Sequence, residues 1–377
     1  MIVGLDASRN RSGGAIIHIK GILENFDFES SDIIKVHLWS YKELLNKLPD
    51  YPWLIKHCPA ELDSGMLKQL YWQRFGLPKE LVKSSCSVLL STDAGTVCRF
   101  QPSVVMSRDM LSYEPGMMQR FSFLSKSRLR LYLLKHMQNS SLKFASAPVF
   151  LTNYASEVIQ RSTGQLNNVK IIPHGVTSVF DDKKIINKTS LLSESIIKLI
   201  YVSNISPYKN QMQVIEAVDR LIEAGYPIHL DLVGGGDSKF VRALNLFIEQ
   251  NIKTPEAISQ VGRLDHLGLS ELLNESDIFV FASSCENMPN TLVEGMSSGL
   301  PIVCSNAGPM PEVLKDTGEY FDPNDVSSIF TAIKKVIDED EFRLKLASKS
   351  REHVRQYSWS RCANETFTLL NQIGSKG

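Results

Sequence analysis

Short apolar segments alternate with longer amphipathic segments along the chain, which predicts strands followed by helices. In the first half, the apolar segments lie at residues 2–5, 36–39, 87–90, 103–106 and 148–152. In the second half they lie at residues 197–202, 229–233, 278–281 and 301–304, with helical patterns at 211–224, 239–250, 270–274 and 291–298 between them. Strands that alternate with helices in this way predict parallel sheets with helices on both faces.

A polar segment at residues 175–195 separates the two halves and is interpreted as a linker. The chain has 377 residues, about twice the length of an ordinary single domain. The pattern therefore predicts a first domain over residues 1–175 and a second over residues 176–356, with the break at Tyr357-Ser-Trp359 before the last helix.

Charge and cysteine content exclude several classes of protein. Lys plus Arg and Asp plus Glu both number 41, so the concentrated basic surface of a nucleic-acid-binding protein is not expected. The 6 cysteines form no CxxC pair, which argues against a disulfide framework or a zinc cluster and favours a reducing compartment. The first residues show no signal-peptide pattern, and no apolar segment reaches membrane-spanning length. We expect a soluble, cytoplasmic protein.

The strongest candidate site lies at residues 283–301. A buried strand ends just before it, a loop carries Glu286, and a helix that begins near Asn290 places Glu294 close to its start. Ligands of open parallel sheets bind where such strands end, and helix N-termini attract anions. The N–H groups of Asn290, Thr291 and Leu292 are therefore expected to face an anion such as a phosphate. Two carboxylates eight residues apart can bond the hydroxyl groups of a sugar and of a ribose. A lone glutamate at a helix start is more often a cap, but the whole motif favours a site.

This motif resembles the signature of retaining GT-B glycosyltransferases of the group 1, or family 4, type. The resemblance rests on Glu286 and Glu294, on the Gly299-Leu-Pro301 that follows them, and on the preceding Ser-Asp-Ile-Phe-Val. It implies an α/β fold of two Rossmann-like domains that face each other across a cleft. It also implies that the acceptor domain is the first, with residues 357–377 packing back on it, and that the donor domain is the second.

Lys209 matches a lysine that, in this family, binds the donor diphosphate together with an arginine. Asn204 stands at the arginine position, so this chain has one positive charge fewer there. Other segments also resemble the family in order and spacing, namely Gly13 and Gly14 near the donor phosphate, Gly262, Arg263 and Leu264 near the base, the turn Gly234–Gly236, and His174 as hinge structure at the end of the first domain.

Arg108 and Asp109 lie where the family often has a His-Asp pair on the acceptor side. An arginine stays protonated and is not assigned as a general base. Arg108 is instead a candidate contact for the leaving phosphate or for an acidic acceptor, and the role of Asp109 stays open.

Residues 117–138 carry basic side chains among Phe, Leu and Tyr at helix-like intervals. Two interpretations remain open. One is a solvated helix face, and the other is peripheral contact with an anionic inner-membrane surface, which would suit a lipid-linked acceptor. The basic residues are Arg120, Lys126, Arg128, Arg130, Lys135 and His136.

The resemblance implies transfer of a sugar from a nucleoside diphosphate to an acceptor hydroxyl with retention of anomeric configuration. Lys209 would stabilise the leaving diphosphate, Glu294 would bind the ribose, and Glu286 would bind the donor sugar as a catalytic group. No metal or other cofactor is expected, because Asp338-Glu-Asp340 is explained by solvation and capping. The loop Val202-Ser-Asn-Ile-Ser-Pro-Tyr-Lys209 resembles that of bacterial surface-polysaccharide enzymes, which implies a role in lipopolysaccharide, O-antigen or capsule biosynthesis.

Three alternatives share the architecture: a nucleotide-sugar epimerase, a phosphorylase, and a non-catalytic nucleotide-sugar-binding protein. An NAD-dependent dehydrogenase would need G-x-G-x-x-G after the first strand, and Ser12-Gly-Gly-Ala-Ile-Ile departs from that pattern.

Overall fold

The computed structural model describes residues 1–11, 13–120, 125–176, 190–193 and 195–375. The chain divides into two compact units, one of Met1–Gly175 with Tyr357–Gly377 and one of Val176–Gln356. Most of the sequence interpreted as a linker, at residues 177–189 and 194, lies outside the described residues, as does Ser12.

The first unit contains a seven-stranded parallel sheet of order β3-β2-β1-β4-β5-β6-β7. Its central strands are apolar on both faces because helices cover both sides, and every residue of the fourth, fifth and sixth strands is buried. The strands are β1 (Ile2–Asp6), β2 (Lys35–Trp39), β3 (Leu54–His57), β4 (Val88–Ser91), β5 (Ser103–Met106), β6 (Ala147–Phe150) and β7 (Lys170–Ile171).

The described part of the first unit has six α-helices before β7. Two of them begin with side-chain caps, since Ser125 Oγ accepts from the Arg128 N–H at 3.2 Å and Thr152 Oγ1 accepts from the Ala155 N–H at 3.1 Å. The helices are α1 (Gly13–Glu24), α2 (Lys42–Leu45), α3 (Met66–Tyr71), α4 (Leu77–Lys83), α5 (Lys126–Phe144) and α6 (Asn153–Thr163), with a π-helical turn at Trp72–Gly76.

The basic segment at residues 117–138 is not one helix. Met117–Arg120 form a short 3₁₀ turn, residues 121–124 lie outside the described part of the chain, and α5 begins at Lys126. The prediction of helical spacing is therefore wrong for Arg120 and holds for the basic residues from Lys126 onward.

The second unit contains a six-stranded parallel sheet of order β10-β9-β8-β11-β12-β13. The strands are β8 (Ile197–Val202), β9 (Ile228–Val233), β10 (Ile258–Gly262), β11 (Ile278–Phe281), β12 (Ile302–Ser305) and β13 (Glu319–Phe321). The helices are α7 (Gln211–Glu223), α8 (Ser238–Asn251), α9 (His266–Glu275), α10 (Asn290–Ser297), α11 (Met310–Leu314), α12 (Val326–Asp338) and α13 (Asp340–His353).

The two sheets share one strand order. If the strands of each sheet are numbered from its own first strand, both sheets have the spatial order 3-2-1-4-5-6. The first sheet has a seventh strand beyond the sixth. In such doubly wound sheets the order reverses between the first and fourth strands, and a crevice opens at their carboxyl ends. That switch point lies between β1 and β4 in the first unit and between β8 and β11 in the second. The predicted α/β fold with two Rossmann-like sheets is confirmed.

The last helix, α14 (Trp359–Gly374), belongs to the first unit. It packs on α1 at Gly21, where a Cβ atom would lie 2.4 Å from the Trp359 ring, so only glycine lets the indole approach this closely. Among the described residues, no helix is long and apolar enough to cross a bilayer.

Candidate functional site

Two loops that follow the neighbouring strands β8 and β11 are tied together by hydrogen bonds. Asn210 adopts a left-handed conformation (φ 52°, ψ 35°), and its side-chain amide donates to the Ala282 carbonyl at 2.7 Å. The Tyr208 carbonyl accepts from the backbone N–H of Ser284 at 2.8 Å and from its hydroxyl at 3.0 Å. These bonds bring Lys209 from one loop against Glu286 from the other.

Lys209 Nζ and Glu286 Oε1 form a hydrogen-bonded ion pair. The two side chains are only 11% and 15% exposed. Burial alone would lower the pKa of the Lys209 ammonium, but the adjacent Glu286 carboxylate outweighs it and raises the pKa above its ordinary value. The ammonium also lies 5.6 Å from the centre of the Phe281 ring. The switch point of the second unit therefore holds a fixed, nearly buried pair of opposite charges.

Glu294 lies one turn into α10, and burial raises the pKa of its carboxyl to about 7. The side chain is nonetheless partly accessible, and its carboxyl makes no hydrogen bond or ion pair with any described residue. A desolvated carboxylate without donors is stabilised by ligand hydroxyl groups, so Glu294 is suited to bind a diol such as a ribose.

The N-terminus of α10 differs from the expectation in one respect. The N–H groups of Asn290 and Leu292 donate to the carbonyls of Met288 and Pro289 at 3.1 and 3.0 Å. The expectation that the N–H groups of Asn290, Thr291 and Leu292 all face an anion is therefore corrected for two of them. An anion at this helix end has to displace or share these bonds.

A glycine turn follows β9 and supports the loop that carries Asn204. Gly234 has a φ of +135°, and a Cβ atom there would lie 2.1 Å from the Ser203 carbonyl oxygen. A Cβ atom on Gly235 would lie 2.9 Å from Arg263 Nε. The missing side chains thus allow two loops to approach the turn, and Asn204 itself is exposed.

The end of β10 and the residues after it lie beside this glycine turn. Gly262 adopts a φ of +78°, which favours glycine, and its carbonyl accepts from the Gly234 N–H at 2.7 Å. Arg263 is exposed, and Leu264 is 38% exposed. All of these residues stand at the carboxyl edge of the sheet, as do Lys209 and Glu286.

In the first unit, Arg108 and Asp109 have different surroundings. Arg108 Nη2 donates to Asn10 Oδ1 at 2.9 Å, its Nε has no partner among the described residues, and burial lowers the pKa of its guanidinium. Asp109 Oδ1 accepts from the Leu111 N–H at 3.0 Å, and burial raises the pKa of its carboxyl. Arg108 therefore joins a polar cluster, whereas Asp109 caps the turn that follows.

Sequence reasoning missed that cluster, which fills the switch point of the first unit. Asp6 Oδ1 accepts from the Ser8 hydroxyl at 2.6 Å, and Asp6 Oδ2 accepts from Gln73 Nε2 at 2.7 Å. Thr92 Oγ1 donates to Asn10 Oδ1 at 2.9 Å. The available signal was that Asp6 and Thr92 stand at the ends of two buried strands, whereas Gln73 comes from a distant π-helical turn.

Gly13 and Gly14 begin α1 and are exposed. A Cβ atom on Gly13 would meet no heavy atom within 4 Å, so any need for glycine there would come from a ligand. His174 is buried, and its ring lies 4.5 Å from that of His18 and 5.7 Å from Trp359. These contacts give His174 a packing role within the first unit.

Among the described residues, no group of three or more His, Cys, Asp or Glu side chains is placed to hold a metal ion. Asp338 ends α12 and Asp340 begins α13, so only Asp340 lies at a helix start as expected.

Comparison with known proteins finds a family match for the second unit. Residues 182–353 match the family model described as "Glycosyl transferases group 1". O-antigen chain mannosyltransferase B of Escherichia coli is 28% identical over 177 residues, which cover 46% of this chain and 45% of that protein. The chain thus spans about half the length of the curated relatives it matches.

Solved structures resemble the whole chain in fold. Sucrose-phosphate synthase from Thermosynechococcus elongatus superposes with a TM-score of 0.76 at 16% identity, covering 100% of both chains. Anabaena Alr3699/HepE in complex with UDP and glucose superposes with a TM-score of 0.71 at 17% identity, covering 99% of this chain and 100% of that one. The chain therefore has the GT-B fold, and residues 182–353 in its second unit resemble the group 1 glycosyltransferases.

Proposed function

We propose that this protein transfers a sugar from a nucleoside diphosphate sugar to a hydroxyl group of a glycan or lipid-linked acceptor. The observation that carries the proposal is the buried Lys209–Glu286 pair at the switch point of the second sheet, with Glu294 on the helix that follows. The HepE structures that share this fold contain UDP and UDP-glucose, which supports a nucleotide-sugar donor.

Each charged group has a separate task in the proposed donor complex. The diphosphate competes with Glu286 for the Lys209 ammonium, and the sugar hydroxyls replace Lys209 as donors to Glu286. The ribose hydroxyls donate to Glu294, whose carboxyl lacks a donor among the described residues. Donor binding thus exchanges one buried ion pair for a set of ligand contacts, which limits the cost of desolvation.

The chemical step is proposed to proceed with retention. The bond between the anomeric carbon and the diphosphate oxygen breaks, and a bond to the acceptor oxygen forms on the same face of the sugar. The acceptor proton passes to the departing diphosphate oxygen. Lys209 and the positive N-terminus of α10 stabilise the charge that develops on the diphosphate, so no metal ion is required.

The acceptor is proposed to belong to the synthesis of bacterial surface polysaccharide, which the name of the Escherichia coli relative supports. On the acceptor side, the Arg108 Nε–H is a candidate donor to an acidic group of that molecule, because it has no partner among the described residues. The protein would then act at the inner face of the cell membrane as a peripheral protein.

Release of nucleoside diphosphate from UDP-, GDP-, ADP- and dTDP-sugars tests the proposed function. We expect one donor class to be turned over, with activity unchanged by EDTA and with the product anomer matching the donor by NMR. Glu286→Gln is expected to reduce turnover, while Glu271→Gln on the exposed face of α9 leaves it unchanged. Turnover that requires inorganic phosphate, or that returns an epimerised nucleotide sugar, would replace this proposal by the phosphorylase or the epimerase.

A further inference from the structure

The loop after β8 lacks the arginine that the resemblance implies for binding the donor diphosphate. Asn204 stands at that position, and its side chain is exposed and neutral. Lys209, the other member of the implied pair, is held by Glu286. A diphosphate carries several negative charges, so a second cation close to Asn204 would strengthen its binding. The turns at the ends of the two neighbouring strands show which side chain can supply it.

The loop that carries Asn204 lies directly against the glycine turn that follows β9. Ile205 forms a parallel bridge with Gly236, which continues the register of β8 and β9 and places Asn204 beside Gly235. The Ile205 N–H donates to the Gly235 carbonyl at 2.9 Å. The backbone of Asn204 is therefore fixed against the turn.

Arg263 approaches the same turn from the other side, because it follows β10, the other neighbour of β9. A Cβ atom on Gly235 would lie 2.9 Å from Arg263 Nε, 3.3 Å from its Cγ and 3.5 Å from its Cδ. The Arg263 side chain thus lies across Gly235. Neighbouring strands are about 4.8 Å apart, so the side chain spans one strand spacing and reaches the residue beside Asn204.

The guanidinium group of Arg263 can bind a ligand. The residue is exposed, and it makes no hydrogen bond or ion pair with any described residue. An arginine stays protonated and presents its N–H donors in a planar fork that matches the oxygens of a phosphate. Arg263 also lies at the carboxyl edge of the sheet, where Lys209 and Glu286 lie.

We propose that Arg263 binds the donor diphosphate in place of the arginine that is absent from position 204. The cation then comes from the loop after β10 instead of the loop after β8, and Gly235 allows its side chain to cross the turn between them. This inference rests on the proposed function, because it adds a contact to the same donor site. It also changes the role implied for Arg263, which is a contact near the nucleotide base.

Calorimetric titration with UDP, GDP, ADP and dTDP at low salt tests the proposal. For the nucleotide that binds the wild type, Arg263→Gln is expected to lower the affinity about 10-fold, because a charge-assisted hydrogen bond to a phosphate is lost. The loss should shrink as salt is added, since the contact is exposed. Arg220→Gln is the matched control, because it removes an exposed arginine from the end of α7 that leads into β9, at the opposite edge of the sheet. It should leave the affinity unchanged.

Two double variants separate a contact with the diphosphate from a contact with the base. Asn204→Arg/Arg263→Gln returns a cation to position 204 and should recover most of the lost affinity, whereas Asn204→Gln/Arg263→Gln should recover none. A contact with the base cannot be restored by a charge at position 204. A loss that Asn204→Arg fails to rescue, or that is equal at low and high salt, would overturn the proposal.

Gly235→Ala tests the path of the side chain. The added Cβ atom displaces Arg263 without removing its charge, so this variant should weaken nucleotide binding in the wild type and have no further effect in Arg263→Gln. Unchanged affinity in Arg263→Gln would overturn the role of Arg263 and leave the donor site in place. Binding of none of the four nucleotides by the wild type would instead overturn the proposed function, so the two failures are distinguishable.

Discussion

The switch points of the two sheets are the same feature of one fold, but their polar groups are arranged differently. In the first unit, Asp6 and Asn10 accept hydrogen bonds from side chains on several elements, so the crevice is filled by the protein itself. In the second unit, Lys209 and Glu286 form an ion pair with each other, and the Glu294 carboxyl has no donor among the described residues. The common strand order places a crevice at the same position in both sheets. The side chains around that crevice determine whether its polar groups are satisfied by the protein or are left for a ligand.

The two switch points also differ in how easily their polar groups can exchange partners. A cluster such as the one around Asp6 and Asn10, whose side-chain oxygens all accept hydrogen bonds, holds one conformation, and breaking it costs stability. A buried ion pair of two groups can be exchanged for a ligand that carries both a negative charge and hydroxyl donors. We therefore expect substitutions at the first switch point to change stability and leave donor binding unchanged, and those at the second to change donor use as well as stability.

Loss of Lys209 should have the largest effect. Lys209→Met removes the cation from the diphosphate, and we expect turnover to fall about 10²–10³-fold, as for the loss of one electrostatic contact to a developing charge. It also leaves Glu286 buried without its partner, which should destabilise the protein by about 3 kcal/mol. Steady-state kinetics and urea unfolding measure the two effects.

A double variant separates them. Lys209→Met/Glu286→Gln removes both charges and should recover most of the stability without recovering turnover. Lys198→Met, which removes an exposed lysine paired with Glu275, is the control and should change neither. Full activity of Lys209→Met would refute the assignment of the donor site.

Substitutions at Asn10 test the polar cluster at the switch point of the first unit. Asn10→Ala removes the acceptor shared by Thr92 and Arg108, and we expect a loss of about 2–3 kcal/mol in the free energy of unfolding. Asn10→Asp restores an acceptor and should recover most of that loss. Nucleotide affinity should be unchanged in both variants, and a weakened affinity would break the contrast between the two units.

Glu294 should give a pH-dependent effect on stability. Because burial raises the pKa of its carboxyl to about 7 in the folded protein, the folded state binds this proton more tightly than the unfolded state. Stability from this group is full below the unfolded pKa and is lost as the pH rises toward 7. Glu294→Gln should therefore be more stable than the wild type at pH 8, by about 1–2 kcal/mol after allowance for partial solvent access, and the gain should vanish below about pH 4.5.

Thermal unfolding across this pH range measures the difference. The same substitution at Glu271, an exposed residue of α9, serves as the control and should show no such dependence. A constant difference between Glu294→Gln and the wild type at all pH values would contradict a perturbed carboxyl.

The smallest expected effect is a gain in nucleoside diphosphate affinity when Asn204 is replaced. Asn204→Arg places a second cation near Lys209 at an exposed position, and we expect nucleoside diphosphate affinity to rise a few-fold at low salt. The gain should shrink as salt is added, because exposed charges are screened. Calorimetric titration at two salt concentrations measures it, and unchanged affinity at low salt would place Asn204 away from the diphosphate.

The sequence predicted the interior of both sheets but not their edges. β3, β7, β10 and β13 escaped prediction, and they are the four edge strands. Interior strands are buried on both faces and need continuous apolar segments, whereas β10 is partly exposed along its whole length and reads Ile-Ser-Gln-Val-Gly. The hydrophobic pattern therefore predicts the fully buried strands of a sheet and misses the partly exposed ones.

The candidate site shows a similar division. Glu286 and Glu294 were predicted from a motif that follows a predicted strand, and Lys209 was predicted from the resemblance to the family. The Lys209–Glu286 ion pair could not be predicted, since it depends on the left-handed turn at Asn210 and its bond to Ala282. The cluster around Asp6 was missed because Gln73 reaches it from a segment whose pattern predicted no clear element.

The most direct test of the donor site is thermal stabilisation by UDP, GDP, ADP and dTDP, compared between the wild type, Glu294→Ala and Glu271→Ala. A ligand that binds only the folded protein raises its melting temperature. The account predicts that one nucleotide stabilises the wild type and Glu271→Ala alike, and that the shift is much smaller in Glu294→Ala. Stabilisation by none of the four, or an undiminished shift in Glu294→Ala, would contradict a donor site at the switch point of the second sheet.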